Sequence, residues 1–399
     1  MISPAKHSED IIVVGAGING LAMALGLALQ NVSVTVIDSA SAPMKEERQD
    51  QYDSRIYALN DNSITLLKRL GVWSLCNQQR IQPITAMKVY GDTNGQLDFS
   101  VTEGADQKQA LGVIIESRQI LHALYQLTSQ HPRITFLLDT TIKATDLING
   151  MRRVTLHDNR QLFTPLLIAS DGVHSSTRAL LGIQDEITYY QHSAVVANYQ
   201  SDRDHFGVAK QWFLPDGDIL ALLPLPDKKL SMVWSTQHAT ANELHNTQVQ
   251  DRIKSIVHQV GYSIGNLTEI TEPRVFPLQL VKVKPIILER FMLCGDAAHG
   301  VHPMAGQGLN LGLADVSTFM ELLSRQNSSL LDVGNATVLH SYARRRNESI
   351  VLMQYLTHYL YIGFNLNHPW ATQMRNFGMN LINHLPGIKQ RLLKQAGHA

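Results

Sequence analysis

The sequence predicts an α/β protein in which a parallel-sheet, nucleotide-binding domain is interrupted by a sheet-rich insertion and followed by a helical tail. Three observations predict it. A glycine-rich turn joins an apolar run to a helix of small residues within 11–29. Residues 187–277 alternate strand-like runs with Pro and Asp-Gly turns. Parallel-sheet punctuation then returns at residue 291.

The 399 residues are too many for one small core. With 34 basic and 34 acidic side chains, no net field draws in nucleic acid, which is excluded as a partner. Two cysteines, Cys76 and Cys294, are too few for a disulfide framework or a cysteine metal site, and Cys294 reads as a small buried hydrophobe. The polar start leads directly into the glycine turn, so no cleaved leader is expected. No run of about 18 apolar residues spans a bilayer. The expected compartment is the cytoplasm.

In chain order, Ile11 to Val14 is a strand, 20–29 a buried helix, and Val32 to Ile37 a second strand ending at Asp38. A helix is expected at about 61–70, capped by Asp61 or Asn62, and another after Glu116-Ser117. Within 187–277 one helix is expected near 247–259, and a long helix from about 308. Residues 337–399 are nearly all helical, broken at Pro369 and Pro386. The nucleotide domain is thus expected from 1–80, 105–182 and 278–335, the insertion from 81–104 and 183–277, and a helical region from 336–399.

The first motif, Gly15-Ala16-Gly17-Ile18-Asn19-Gly20, lies between strand and helix. Gly15 permits the turn, Gly17 lets backbone approach a pyrophosphate, and Gly20 lets the helix pack on the strand, as in a Rossmann-like domain. The helix N-terminus, where Asn19 sits, offers free N–H groups and partial positive charge to phosphate. Asp38 follows Gly20 by 18 residues, placed to accept hydrogen bonds from a ribose diol and to repel a 2′-phosphate. A glycine turn with no ligand is the plain alternative, and strand, helix and acid together weigh against it. This motif alone does not separate FAD from NAD.

The second motif, residues 291–312, reads FMLCGDAAHGVHPMAGQGLNLG. Asp296 at a strand end suits the hydroxyls of a polyol such as a ribityl chain. Gly306 and Gly308 let backbone approach a flat ring. The helix opening at Leu309-Asn310 can stabilise negative charge on a reduced flavin. This stretch is similar to the second FAD-binding motif of the p-hydroxybenzoate hydroxylase superfamily of flavin monooxygenases. GDAAH…HPMAGQGLNLG looks closest to the ubiquinone-biosynthesis branch, with Met304 where its members usually carry Leu. The likeness runs through ordered motifs from residue 10 to about 345.

The resemblance carries further residues. In ASDGVHSSTR, Asp171-Gly172 matches an Asp-Gly tied to FAD and pyridine-nucleotide binding, and Asp171 is expected to hold backbone and Arg178. Arg55 in YDSRIYAL and Arg118 in ESRQILHAL match cofactor-contacting arginines; a lone arginine would otherwise read as surface charge. His302 and Pro303, in the flavin-ring loop, are the catalytic candidates. His299 and His302 could act as a general base, but shaping the loop is the preferred role. No metal site and no Ser-His-Asp pattern is read.

The resemblance implies an FAD-dependent aromatic-ring hydroxylase. NADH or NADPH reduces FAD, and dioxygen forms a flavin C4a-hydroperoxide that hydroxylates a phenol, here an apolar polyprenyl-phenol or quinol precursor of ubiquinone. Trp212, Phe213, Leu222, Leu223, Leu225 and Trp234 could face its pocket, although sheet core is the preferred reading for most. The alternatives are a hydroxylase of a soluble aromatic, an NAD-dependent dehydrogenase, and a non-catalytic flavoprotein of a biosynthetic complex. In the tail, apolar positions at 352, 355, 356, 359, 360 and 363–364 form a stripe. It packs on the core or meets a partner or the inner face of a membrane.

Overall fold

The computed structural model describes residues 11–41, 51–101, 109–300, 308–326, 332–365, 368–385 and 387–389. Strand β1 (Ile11–Val14), helix α1 (Ile18–Leu29) and strand β2 (Val34–Ile37) open the chain. Both strands and nearly all of α1 are buried, as continuous apolar sequence demands. Next come β3 (Ile56–Leu59), α2 (Asp61–Arg69), β4 (Gln82–Ile84), β5 (Ala86–Tyr90), β6 (Gln96–Ser100), β7 (Gly112–Glu116) and α3 (Ser117–Ser129). The cap of α2 is Asn60, one residue before the expected positions. Its extended backbone lets the carboxamide oxygen accept from Ser63 N at 2.9 Å.

β8 (Ile134–Leu137), β9 (Ile142–Ile148), β10 (Met151–Leu156), β11 (Gln161–Thr164), β12 (Leu167–Ala169) and α4 (Ser176–Leu180) lead to the long β13 (Asp185–Ser201). β14 (Val208–Phe213), β15 (Ile219–Leu225) and β16 (Lys229–Gln237) follow, then α5 (His238–Asn246) and α6 (Val249–Val260). The expected single helix is therefore two. α5 buries only Ala241 and Leu244, too few apolar positions to show a helical period. After β17 (Leu267–Glu269) and β18 (Arg274–Val283) come β19 (Ile287–Leu288), β20 (Phe291–Leu293), β21 (His299–Gly300), α7 (Gly308–Ser324), α8 (Ala336–Asn365) and α9 (Pro369–Asn383).

Among the described residues, one sheet has the order β19-β20-β12-β1-β2-β8, parallel except for β19. The larger sheet runs β21-β18-β13-β16-β15-β14-β5-β6, with β17 also on β13. Its register sorts side chains by face, because directly paired residues point the same way. Val195, Trp234 and Leu220 form one row, buried with Ala241 and Leu244 of α5 and Ile256 of α6. Trp212 belongs to this face and stacks on Tyr90 with centroids 5.3 Å apart. The opposite face carries Val196, Val233 and Ala221 beside Asn198. Of the candidate pocket side chains, Leu222 and Trp234 are therefore core, whereas Leu223 and Phe213 share the face of Asn198.

Trp234 Nε1 donates to Asp218 Oδ2 at 2.9 Å. Burial pushes the Asp218 carboxyl up to about 6, and Asp216 adds to the rise. Bonds from Thr236 and Trp234 oppose it. A carboxyl raised on folding stabilises the fold while neutral, below its unfolded value near 4, and that contribution is lost as pH climbs through about 6. Asp218→Asn keeps the acceptor and cannot ionise. Its melting temperature relative to the parent should rise between pH 5 and pH 8, with a ceiling of about 3 kcal/mol. A difference that stays flat with pH refutes this.

In the tail, α8 buries Ile350, Met353 and Gln354, while Leu352 and Tyr355 are more than half exposed. The expected stripe is thus out of register with the core at 352 and 355. The side chains at 356, 359, 360 and 364 lie outside the described residues. α9 lies along β6, the outer strand of the large sheet. Asn376, Asn380 and Asn383, one helical face, accept hydrogen bonds from Gly95 N (2.7 Å), Gln96 N (2.9 Å) and Asp98 N (3.0 Å). Asn376 comes so close that a Cβ at Gly91 or Gly95 would lie 2.2 or 2.3 Å from its Oδ1.

Candidate active site

The three sequence motifs, far apart in the chain, are side by side in space. β1, β12 and β20 are adjacent and parallel, with Val14, Ala169 and Leu293 in register. Their C-terminal ends therefore deliver Gly15, Asp171 and Asp296 to one edge of the sheet, where open α/β sheets bind ligands. The junctions are tight. A Cβ on Gly15 would lie 2.4 Å from Ser170 O, and one on Gly20 would lie 1.9 Å from Gly15 O. Gly17 is the exception: it caps α1, is exposed, and a Cβ there would meet nothing within 4 Å. Clear space in front of a helix N-terminus is what an incoming pyrophosphate requires.

Asp38 reaches back into this turn. Its carboxylate accepts from Ala16 N at 2.6 Å and Ala40 N at 2.8 Å, which leaves lone pairs for a diol. Asn19 links the first motif to the second. Its side chain fills the space where Gly295 and Gly312 would carry a Cβ, 2.4 and 2.2 Å away, so a larger residue at either position would displace it. Its Oδ1 is buried with no partner among the described residues.

Asp171 holds backbone, accepting from Thr177 N at 3.0 Å through Oδ2. Its Oδ1 is buried and finds no partner among the described residues. It does not hold Arg178, contrary to the sequence reading. Arg178 turns away to Asp185 and donates to Ala297 O and Val173 O, each at 2.8 Å. The reason is local: Arg178 sits in the short helix α4, whose Thr177 amide takes Asp171 Oδ2, while the arginine side chain extends to Asp185 and to backbone carbonyls.

Arg55 and Arg118 are brought together across the β3–β7 pair. Both backbone amides donate to the Asp53 carboxylate, at 2.9 and 3.1 Å. Asn198 Nδ2 donates to Asp53 O at 2.8 Å, tying the large sheet to this loop. The exposed Arg55 guanidinium lies over Tyr57 and near enough to Asp296 to favour its ionised form. Burial nonetheless raises the Asp296 carboxyl above the usual range, against the pull of His299 and Arg55. None of the described residues donates a hydrogen bond to that carboxylate, so it is available to ligand hydroxyls.

Behind Asp296 stands a network that the sequence reading missed. Asp315 of α7 is fully buried and accepts from His299 Nε2 (2.8 Å), Gly295 N (2.8 Å) and Arg346 Nε (2.6 Å). Burial works against its ionisation, but the His299 and Arg346 charges and these bonds outweigh that and hold its carboxyl below the ordinary range. Its only sequence signal was an acid in the apolar first half of a helix. Asn310 directs its side chain to Ala58 O, Asn60 N and Ser63 Oγ, so what it presents at the start of α7 is backbone. Leu309 is buried in the core and Gly308 borders open space. His302, Pro303 and Gly306 lie outside the described residues. Among the described residues, no group of three or more His, Cys, Asp or Glu side chains could hold a metal ion.

A parallel sheet that presents three motif-bearing strand ends in one row has the form of a dinucleotide-binding domain. The comparisons agree. Residues 8–353 match the family model described as FAD binding domain. The chain is 30% identical over 391 residues to 3-demethoxyubiquinol 3-hydroxylase of Escherichia coli K12, covering 98% of this chain and 99% of that one. It is 29% identical to the mitochondrial ubiquinone biosynthesis monooxygenase COQ6 of Rattus norvegicus, covering 96% and 90%. In structure it is similar to p-nitrophenol 4-monooxygenase PnpA of Pseudomonas putida DLL-E4, with a TM-score of 0.76, 15% identity and 98% of each chain covered. The chain belongs to the FAD-dependent aromatic-ring hydroxylases, in the branch that holds the ubiquinone hydroxylases.

The site fits FAD. Open space before Gly17 suits a pyrophosphate, the free Asp296 carboxylate suits a ribityl chain, and the orphaned Asn19 and Asp171 oxygens can accept from ligand groups or bridging water.

Proposed function

We propose that the chain hydroxylates the aromatic ring of a polyprenyl-phenol or quinol intermediate of ubiquinone biosynthesis. The observation that carries this is the single row of three strand ends that delivers Gly15, Asp171 and Asp296, in a chain 30% identical to 3-demethoxyubiquinol 3-hydroxylase. Bound FAD supplies electron transfer from NADH or NADPH and activation of dioxygen. On this reading Gly15, Gly17, Asn19 and Gly20 hold the pyrophosphate, and Asp38 holds the adenosine ribose. Arg55, Arg118 and Asp171 flank the dinucleotide, and Asp296 binds the ribityl hydroxyls. For the flavin ring the proposal keeps Gly306, Gly308, Leu309 and Asn310, with His302 and Pro303 as the catalytic candidates. Asp315, His299 and Arg346 fix the loop that presents Asp296. The apolar sheet face excludes water and orients the phenol.

Among the described residues no helix is long and apolar enough to cross a membrane. The same proposal places the enzyme in the cytoplasm, at the inner face of the membrane or in a biosynthetic complex, where a polyprenyl chain is accessible.

The test is reconstitution with FAD followed by product analysis on a set of polyprenyl phenols. Stimulated NAD(P)H oxidation with a hydroxylated product is expected. Asp296→Ala should lower FAD affinity about ten- to a hundredfold, the value of a charge-linked hydrogen bond. His245→Ala, on exposed α5, should not. NAD(P)H oxidation without any hydroxylated phenol across the set would defeat the substrate assignment.

A further inference from the structure

Residues 344–346 are three consecutive arginines, of which the site described above uses only the last. Successive residues on a helix are turned by about 100°, so the three cannot share one environment. Arg344 is exposed, Arg345 partly buried and Arg346 only 3% exposed. Arg345 and Arg346 line a groove of about 360 Å³ between α2, α7 and α8, a volume in the range of small-molecule sites. α2 contributes positions 62, 65, 66 and 69, and α7 positions 310, 313, 314, 317 and 318. In both helices this is the i, i+3, i+4 spacing of a single face.

The lining is basic. Arg69, Arg345 and Arg346 border the groove and, among the described residues, no Asp or Glu does, although the whole chain has equal acid and base. Arg69 is exposed and makes no ion pair with any described residue. Arg345 lies 3.5 Å from Glu321, which Arg325 also holds. Arg346 donates through Nε to Asp315 and through Nη2 to Leu311 O, while its Nη1 bonds to none of the described residues. A buried guanidinium nitrogen without a protein partner calls for one from a ligand or water. Ser317, Thr318 and Ser349 add partly buried hydroxyls to the same walls. Three guanidinium groups and three hydroxyls offer more donors than the two oxygens of a carboxylate can accept. They match a phosphoryl group, with its three acceptor oxygens and nearly two negative charges.

We infer that the groove between α2, α7 and α8 binds a phosphorylated small molecule, its phosphoryl group taken by Arg69, Arg345 and Arg346. The groove is lined by none of Gly15, Asp38, Asp171 or Asp296, so it is separate from the row of strand ends. It shares Asn310 and Arg346 with the walls behind that row. Arg346 Nε holds Asp315, and Asp315 in turn holds Gly295 N and His299 on either side of Asp296. A phosphoryl group on Arg346 Nη1 is thus linked through one carboxylate to the loop that presents Asp296. Two sources carry this chemistry, the 2′-phosphate of NADPH and a free phosphorylated metabolite. Neither depends on which phenol is the substrate.

The FAD-reconstituted full chain, in which the place before Gly17 is already filled, is to be titrated with inorganic pyrophosphate by calorimetry and thermal unfolding. Sodium chloride at matched ionic strength is the reference. Saturable binding that raises the melting temperature is expected, since a ligand of the folded state stabilises it. Arg69→Gln/Arg345→Gln should weaken that binding at least about tenfold, the value of a charge-assisted hydrogen bond or more. Lys68→Gln/Arg344→Gln removes two exposed cations of the same helices outside the groove. It should leave the affinity within about twofold, because exposed charges are screened. FAD content and phenol-stimulated NADH oxidation should match the parent in both variants. They are read separately, so a failure here is distinguishable from a failure of the hydroxylase reading. Pyrophosphate that competes with NADPH but not with NADH identifies the 2′-phosphate as the ligand. Pyrophosphate that binds and competes with neither identifies a free phosphorylated metabolite. Absence of saturable binding, equal weakening by the two double variants, or a melting shift matched by sodium chloride overturns the proposal.

Discussion

A glutamate at residue 17 is expected to leave the protein folded and to strip it of FAD. Gly17 is the one glycine of the first motif where an added Cβ meets nothing within 4 Å, and its φ of −76° suits any residue. The apoprotein should therefore accept the side chain with little change in melting temperature. Its carboxylate would lie at the N-terminus of α1, stabilised there by the helix dipole and occupying the place of a pyrophosphate. Steric exclusion and repulsion between anions act together, and FAD affinity should fall by about a hundredfold or more. Gly20→Ala should behave oppositely. A Cβ 1.9 Å from the Gly15 carbonyl forces β1 and α1 apart, so the loss is one of stability before it is one of binding. Equilibrium dialysis with FAD and thermal unfolding of both apoproteins separate the two effects. Stoichiometric FAD in Gly17→Glu would remove that residue from the site.

Asp315→Ala should be the most damaging single change behind the site. It removes the shared acceptor of His299, Gly295 N and Arg346, and leaves a fully buried arginine without its carboxylate. Breaking a buried pair from one side costs about 3–5 kcal/mol. Urea unfolding of the apoprotein at neutral pH measures it. The sign with pH is set by the depressed carboxyl of Asp315. A carboxyl lowered on folding stabilises above its unfolded value near 4 and loses that contribution as pH falls through its folded value. The deficit of the variant should therefore be full at pH 7 and shrink below about pH 4. A deficit under about 1 kcal/mol at neutral pH contradicts the role assigned to Asp315.

How much was legible follows from the range of each signal. The strand–turn–helix at 11–29 and the strand ends before Asp171 and Asp296 were readable because glycine and burial act locally. That the three ends form one row was not readable, since it depends on β12 entering between β1 and β20. Asp315 escaped for the same reason: His299 and Arg346 lie 16 and 31 residues away, and only packing joins them. Arg178 was assigned to Asp171, whereas the fold offered Asp185, which is equally far along the chain. In the tail the helical content was evident, but which side met the protein was not. Apolar residues were assumed to point inward or to a partner as one stripe. The asparagines at 376, 380 and 383, which carry no periodic apolar signal, are what hold α9 in place.

Those asparagines have a consequence for how the chain tolerates shortening. β6 ends the large sheet, and the amides of Gly95, Gln96 and Asp98 point outward, where a neighbouring strand would otherwise bond. Side-chain carbonyls satisfy them in place of main chain, so the sheet stops without a further strand. A chain cut before Pro369 would carry an unpaired strand edge able to recruit the β6 of another molecule, the first step of edge-to-edge aggregation. Such a truncation would aggregate on its own.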